Sequence, residues 1–209
     1  MVAAPIEIEV PVTDKRFPWQ PPYTVDTLFE MPTEDGLRYE VLGGSLVVSP
    51  QAAPQHNRYA QRLSFRIHDL VPDLELLQNT AVRLPNGDGP VPDLLLTTAT
   101  DVADHPKGLP ASLVHTIVEV VSPSNARTDR VIKTELYAEA GIPCYWRIEQ
   151  RPWKEHFGPV PAIVVRLRDK DGEWRQTIAP AGMVTSLPLV VDADGTTVFL
   201  EIDPAVLVR

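Results

Sequence analysis

A glutamate lies inside a strongly apolar stretch of the sequence, HTIVEVVSPS at residues 115–124, where Val118 and Val120 flank Glu119. Such a run is typical of a β-strand that is buried on both faces. A carboxylate in such a strand costs free energy unless it pairs with a cation or binds a metal ion. The stretch therefore indicates either a functional site or a structural ion pair, for example with Arg130, and leaves both interpretations open.

A second carboxylate, Asp93, opens another apolar run, VPDLLLT at residues 91–97. A Pro-Asp pair alone is more typical of a turn, but two carboxylates that open or interrupt core strands are much less common. Mg²⁺ prefers oxygen ligands, needs few protein groups and keeps several waters, and Mn²⁺ accepts similar ligands. Asp93, Glu119 and a backbone carbonyl such as that of Val120 would suffice for such a metal.

Three further residues are weaker candidates on sequence alone. Lys133 lies in the second turn of a predicted helix and could return its ammonium toward the carboxylates, although solvation or an i,i+4 pair with Asp129 is the more ordinary interpretation. Glu40 precedes a predicted hairpin turn, where a strand glutamate is usually exposed. His56 lies on the apolar side of a helix, where a hydrogen-bonded core histidine is more common than a ligand or base.

Other chemistries lack their sequence signals. The chain has no G-x-S-x-G nucleophile elbow, no phosphate-binding loop ending in GK[ST] and no dinucleotide fingerprint. One cysteine and scattered histidines do not give the spacing of a structural zinc site. Cys144 lies in a short apolar stretch, which indicates inert packing.

The elements that must position these residues alternate between helical and strand patterns. Helices are predicted at about residues 24–31, 54–71 and 128–140, the last with a core face of Ile132, Leu136 and Ala140. Hairpins are predicted at 38–50 around Gly43-Gly44, at 81–97 around Asn86-Gly87 and at 162–178. Further strands are predicted at 74–78, 113–122, 144–149, 189–191 and 196–200. This order predicts an α/β fold with a mixed sheet and helices on its faces.

Length and composition bound the class of protein. With 209 residues the chain fits one domain, at residues 23–209, after a proline-rich tail at residues 1–22. No apolar run approaches the roughly 20 residues of a membrane span, and a single cysteine without an export signal favours a cytoplasmic protein. The net charge of −9 counts against a protein that coats nucleic acid nonspecifically, although one local basic site is compatible with it.

Several stretches together resemble the Uma2-like family, which belongs to the PD-(D/E)xK superfamily of restriction-endonuclease-like proteins. They are YEVLGGSLVVSP, QHNRYAQRL, VRLPNGDGPVPDLLL, IVEVVSPSNARTDRVIKTELYAEAGIPCYWRIE and AIVVRLRD, and they span most of residues 24–200. The block at residues 117–148 is the most specific. The resemblance implies a restriction-endonuclease-like mixed β-sheet flanked by α-helices.

The family pattern also implies roles for individual residues. Asp93 matches the aspartate of the PD motif and Glu119 the acid of the (D/E)xK motif. The lysine of that motif would stand at position 121, which is valine here, so Lys133 on the next helix matches the migrated lysine. Glu40 matches the upstream acid of the cluster.

Two other positions enter this comparison. His56 matches a histidine that follows the SP turn of the family, and Gly43 departs from the pattern, since relatives commonly carry an aspartate there. The departure concerns the hairpin tip rather than the metal site.

The resulting expectation is a Mg²⁺-dependent (or Mn²⁺-dependent) endonuclease that hydrolyses nucleic-acid phosphodiester bonds, with DNA as substrate. Asp93, Glu119 and the Val120 carbonyl would hold the metal, with Glu40 and Lys133 in support. The alternative is a noncatalytic binding or accessory module that retains the fold. A homodimer is expected because a two-fold enzyme suits a two-stranded duplex.

Overall fold

The computed structural model of the chain describes residues 20–32 and 36–208. The expected tail at residues 1–22 lies almost wholly outside these residues, so the division of the chain at residue 22 stays a prediction. Close to the start of the described residues, the backbone N–H of Tyr23 donates to the Gly44 carbonyl (2.9 Å). No helix in the described part of the chain is long and apolar enough to cross a membrane.

Strands are the commonest regular element of the described chain. In chain order they are β1 (Leu37–Leu42), β2 (Ser45–Pro50), β3 (Glu75–Gln78), β4 (Val82–Arg83), β5 (Leu94–Thr97), β6 (Leu109–Pro110), β7 (Thr116–Val121), β8 (Cys144–Glu149), β9 (Ala162–Arg168), β10 (Trp174–Pro180), β11 (Thr185–Val190) and β12 (Thr197–Ile202). The helices are α1 (Val25–Leu28), α2 (Pro54–Leu70), α3 (Ala99–Asp104) and α4 (Lys133–Glu139). Short 3₁₀ turns lie at Ala111–Leu113 and Pro204–Leu207, and a π-helical turn lies at Thr128–Ile132.

The central sheet has six strands in the order β10-β9-β8-β7-β5-β3. β7 and β8 run parallel, whereas every other neighbouring pair in this sheet is antiparallel, so the sheet is mixed as predicted. A parallel pair requires a crossover connection over one face of the sheet. Here the crossover contains the π-helical turn and α4, and it carries Lys133 back over β7.

Alternate residues of the central strands contribute to two apolar layers, one on each face of the sheet. On one face Val118 packs in a core with Leu63 of α2. On the other face Ile117 packs in a core with Tyr137 of α4. Glu119 shares the parity of Ile117 in β7, so its side chain belongs to the α4 face.

The β1–β2 hairpin is confirmed, and its turn fixes it beside the segment that leads into β5. Gly43 and Gly44 have φ values of 60° and 69°, which is the conformation that a two-residue hairpin turn requires. The Asp88 carboxylate accepts a hydrogen bond from each of their N–H groups, both at 2.8 Å. The backbones of Val41 and Gly89 also exchange two hydrogen bonds (3.1 and 2.9 Å). These contacts hold β1 next to Asp93.

The predicted hairpin around Asn86-Gly87 is wrong in its pairing. A turn is present, because Leu84 and Asp88 are joined by a backbone hydrogen bond of 3.0 Å. The flanking strands, however, do not pair with each other: β4 pairs in parallel with β6, and β5 lies between β3 and β7. The turn signal is local, whereas strand pairing was decided by burial of the Leu94–Thr97 run in the centre of the sheet.

The predicted helix at residues 128–140 exists, but its core face is wrong. The N–H of Lys133 donates to the Thr128 carbonyl five residues earlier, which widens the first turn into a π-helix. The extra residue leaves Ile132 39% exposed and turns Lys133 and Tyr137 to the buried side. Leu136 and Ala140 stay at the edge, partly buried against the α4-side core, which includes Tyr137.

Replacing Leu63 by alanine should lower the free energy of unfolding by about 2–5 kcal/mol, because the side chain is fully buried between α2 and the sheet. Phe65→Ala on the same helix is the matched control. Its side chain is 60% exposed, so its free energy of unfolding should stay within about 0.5 kcal/mol of the wild type. Urea denaturation measures both, and equal losses would contradict the assignment of the α2 core face.

Candidate active site

The two carboxylates singled out from the sequence meet on adjacent strands. Asp93 immediately precedes β5, Glu119 lies in β7, and these strands pair with Leu94 opposite Val118. Both carboxylates line one small cavity of about 20 Å³, which is the space of one water or one ion, since a water needs roughly 10–15 Å³ in this measure. The other residues around it are Arg38, Glu40, Ser49, His56, Val120, Ser122, Asn125, Asp129 and Lys133.

Asp93 lies where the ladder between β5 and β7 ends. Beyond Val118 no further β5 residue is in register with β7, and the Asp93 Oδ2 atom accepts the Val120 N–H at 2.7 Å instead. The same oxygen lies 3.1 Å from His56 Nε2, and Oδ1 accepts Arg38 Nη1 at 3.2 Å. The aspartate therefore closes the strand end and receives two basic side chains.

Glu119 is 2% exposed and receives two donors on one oxygen. Lys133 Nζ and the Tyr137 hydroxyl each donate to Oε1 at 2.8 Å. Lys133 and Tyr137 are four residues apart on the same helix, so both reach the same point on the sheet. The cation that pairs with Glu119 is thus Lys133 and not Arg130, which instead binds the buried Glu149 through Nη2 at 2.7 Å.

Glu40 joins the cluster from the hairpin. Arg38 and Glu40 are two residues apart in β1, so both side chains point to the same face of the hairpin. Glu40 Oε1 accepts the Val91 N–H at 2.7 Å and lies 2.8 Å from Lys133 Nζ. The lysine ammonium consequently bridges a carboxylate of β1 and a carboxylate of β7.

Asp129 approaches the same ammonium from the π-helical turn. Its Oδ1 atom lies 3.9 Å from Lys133 Nζ, at the spacing of the predicted i,i+4 pair, and the residue is buried. The i,i+4 pair is therefore present, but as the weakest of three contacts that Lys133 makes with carboxylates. π-Turns within helices are frequent at functional sites.

Negative charge exceeds positive charge in this buried cluster. Burial and the nearby charges of Asp93 and Glu40 outweigh the opposing charge of Lys133 and raise the pKa of Glu119 to about 7. Burial also raises the pKa of Asp129 well above its usual range, and Glu119 and Glu40 add to the effect. Burial lowers the pKa of Lys133, but the carboxylates of Glu119, Glu40 and Asp129 outweigh it and the net shift is upward. Lys133 is therefore an ammonium at neutral pH.

The donor set fits a divalent cation by its chemistry. Four carboxylates line the cavity, whereas its fixed cations are Arg38 and Lys133. When all four are ionised, a divalent ion would balance the remaining charge. Without the ion, protonation of Glu119 and Asp129 relieves it, which is what their raised pKa values express. Among the described residues, no three Asp, Glu, His or Cys side chains are grouped as a ready metal cluster. The expected set of Asp93, Glu119 and the Val120 carbonyl has only two side-chain ligands, and Mg²⁺ commonly makes up the difference with water.

The structure brings together all the residues named from the sequence, namely Asp93, Glu119, Val120, Lys133 and Glu40. Their proximity is a structural fact, while their roles as ligands and catalytic groups stay predictions.

Sequence reasoning missed several members of the cluster. His56 was only a weak candidate, for which a core role was the more common interpretation, and Arg38 and Tyr137 were not considered for the site. Two signals were available: Arg38 has the strand parity of Glu40, and Tyr137 lies one helical turn after Lys133. Neither signal carries weight until the partner strand or helix is known. Cys144 is buried in the core as expected, and burial raises its thiol pKa to about 11.

The chain matches the Uma2 family model, described as "Putative restriction endonuclease", over residues 25–197. Among solved structures it is similar to a crystal structure from Anabaena variabilis, titled a "putative nuclease" of a domain family of unknown function. The two share 14% identity and a TM-score of 0.57 over 82% of this chain and 96% of the other. At that identity the likeness shows the fold, and the predicted nuclease-like fold class is confirmed. No curated protein matches the chain significantly.

The pKa of His56 should lie above its ordinary value of 6.5 in the metal-free protein. Burial lowers it, but the hydrogen bond and charge of Asp93 outweigh burial. The stability that this pair contributes is fully present below about pH 6.5 and is lost as the pH rises through the raised folded pKa. In Asp93→Asn the imidazole pKa should fall, because burial and the Arg38 charge remain.

NMR titration of the histidine ring signals in the presence of a chelator measures this shift. Asp69→Asn, on the exposed side of the same helix, is the control and should leave the His56 titration unchanged. If His56 has the same pKa in Asp93→Asn as in the wild type, the Asp93 contact does not stabilise the protonated imidazole and the prediction is wrong.

Proposed function

The chain belongs to the Uma2 family, and from that premise we propose that it is a metal-dependent endonuclease that hydrolyses phosphodiester bonds of nucleic acid, DNA in the first instance. One observation carries the proposal: Lys133 Nζ reaches Glu119 and Glu40, both at 2.8 Å, in the cavity that Asp93 also lines. A lysine among carboxylates at the end of central strands is the arrangement that the family pattern implies for a nuclease site.

The metal would be held by Asp93, Glu119 and the Val120 carbonyl, with Glu40 in support. When bound there, Mg²⁺ or Mn²⁺ orients a water and neutralises charge on the phosphate. Lys133 already occupies Oε1 of both glutamates, so a divalent ion would use other ligand atoms of these groups. Asp93 is held in place by Arg38 and His56, which are positioning residues in this scheme.

The chain's own groups then serve the hydrolysis. The Lys133 ammonium stays protonated, so we assign it the stabilisation of negative charge on the phosphate and not the removal of a proton. Asp129 lines the same cavity, and in its ionised form it can accept the proton of the attacking water. Its raised pKa makes that carboxylate a stronger base than an ordinary aspartate. The water oxygen bonds to phosphorus and the water proton passes to Asp129. The bond to the leaving oxygen breaks, and that oxygen takes up a proton from solvent water.

Contacts to the substrate backbone would come from basic residues near the cavity. Arg127 is exposed in the loop between β7 and α4, whereas the Arg130 guanidinium is engaged by Glu149.

A cytoplasmic location and a homodimer belong to the same proposal. The alternative, a noncatalytic module with this fold, predicts neither cleavage nor metal binding at the cavity.

Glu119→Gln should lower the rate of plasmid DNA cleavage in Mg²⁺ or Mn²⁺ by at least about a hundredfold, because it removes a ligand charge from the cavity. It should also remove the rise in melting temperature that the metal produces in the wild type. Glu139→Gln, exposed on α4, is the matched control and should behave as wild type. A wild-type protein that neither cleaves nor gains stability from either metal would favour the noncatalytic alternative.

Lys133→Arg should impair cleavage about a hundredfold or more while retaining the metal-dependent rise in melting temperature. The broader planar guanidinium keeps the charge but cannot occupy the position of the ammonium between Glu40 and Glu119. Lys154→Arg, at an exposed position, controls for the exchange itself. Circular dichroism shows whether the variant is folded, and unchanged cleavage by a folded Lys133→Arg protein would exclude the assigned role.

A further inference from the structure

The outward face of α2 has a charge unlike that of the rest of the chain. The whole sequence carries 28 acidic and 19 basic residues, but the charged residues of α2, with histidine taken as neutral, are Arg58, Arg62, Arg66 and Asp69. The arginines recur every four residues, so they form one row along the helix with about 6 Å of rise between neighbours. Such a local basic row on an acidic protein indicates a binding surface for an anion with repeated charges.

A cleft lies against this row, between α2 and the last 3₁₀ turn. Its volume is about 300 Å³, and its lining residues are Arg62, Phe65, Arg66, Asp69 and Val206. That volume is at the lower end of the range of small-ligand pockets. Arg62 is anchored at its base, because Nη1 donates to the Leu207 carbonyl at 3.3 Å. The cleft is separate from the carboxylate cavity, with which it shares no lining residue.

Phe65 gives the cleft an aromatic surface that the core does not use. The ring is 60% exposed, although α2 buries Leu63 and Ile67 beside it in sequence. An exposed aromatic ring between arginines is the combination on which unpaired bases stack while the cations contact the phosphates. Asp69 adds an acceptor for base N–H groups.

The same helix connects this cleft to the proposed active site. His56, in the first turn of α2, contacts Asp93. Phe65 follows nine residues later, about 14 Å along the helix axis and about two and a half turns further, so its side chain lies on the opposite side of the helix. A strand that runs from the cavity to Phe65 would pass around α2 as well as along it, and it would need more than the roughly four nucleotides that span 14 Å at 3.4 Å per step.

We propose that the Arg58–Arg62–Arg66 row and the Phe65 cleft bind a single-stranded segment of the nucleic-acid substrate, with one base stacked on Phe65. The proposal rests on the proposed function for the identity of the substrate and adds where an unpaired flank of it binds. Duplex bases are stacked on each other and cannot reach an aromatic ring on a helix surface. Single-stranded DNA therefore fits this surface better than duplex DNA.

The test is fluorescence anisotropy with a labelled oligothymidylate and with a hairpin duplex of equal charge, in chelator so that no cleavage occurs. Phe65→Ala should weaken oligothymidylate binding about tenfold and leave duplex binding unchanged. Arg66→Gln should reduce the slope of log affinity against log salt by about 0.7. Controls are Phe199→Ala, at a ring of similar exposure (56%), and Arg168→Gln on the β9–β10 hairpin.

The outcomes separate this inference from the function proposed above. Equal oligothymidylate affinity of wild type and Phe65→Ala would overturn the inference, whether or not the protein cleaves DNA. An effect of Phe65→Ala on sedimentation, with unchanged DNA affinity, would also overturn it and assign the cleft to a second copy of the chain. If oligothymidylate binding depends on Phe65 but the protein does not cleave DNA, the binding role of the cleft is supported and the proposed nuclease activity is wrong.

Discussion

The ion pair between Lys133 and Glu119 is the interaction on which the rest of the site depends. Both side chains are 2% exposed, so neither charge can be left without the other. Removing one partner of a buried pair typically costs about 3–5 kcal/mol, because the remaining charge stays buried and unpaired. The pair does not balance the cluster, since Glu40 and Asp129 crowd the same ammonium. In the metal-free protein, protonation of Glu119 and Asp129, whose pKa values are raised, relieves part of this imbalance, and a bound cation would relieve it instead.

The fold supplies this arrangement through three separate devices. The pairing of β5 with β7 stops at Leu94 and Val118, so the Val120 N–H donates to the Asp93 carboxylate instead of to a strand carbonyl. The β1–β2 hairpin is fixed by Asp88 at its turn, which places Glu40 over the end of the central strands. The π-helical turn rotates Lys133 inward. The first and the third of these devices interrupt the regular ladder or the regular helical bonding, and local conflicts of this kind are expected where function constrains the fold.

A nuclease with this net charge would have to attract its polyanionic substrate by local means. Long-range steering by a net charge of −9 is unfavourable, so affinity for nucleic acid would depend on a cation bound in the cavity and on small basic surfaces of the domain. The α2 arginine row, Arg58 to Arg66, is such a surface, and Arg127 is exposed on the loop after β7. Family membership and fold are established for the chain, whereas fold alone does not determine activity; the carboxylates and the lysine carry that part of the argument.

The sequence by itself determined the fold class and most of the site. An acid inside an apolar strand is recognisable because its burial is costly, so Glu119 and Asp93 were identified from local pattern. The tertiary structure decided which cation neutralises Glu119 and which strands pair with β5. It also recruited His56 and Arg38 to Asp93. These contacts join residues far apart in the chain, so the pattern of one segment cannot predict them. The π-helical turn changed which face of the helix is buried, and a regular helical periodicity does not predict such a turn.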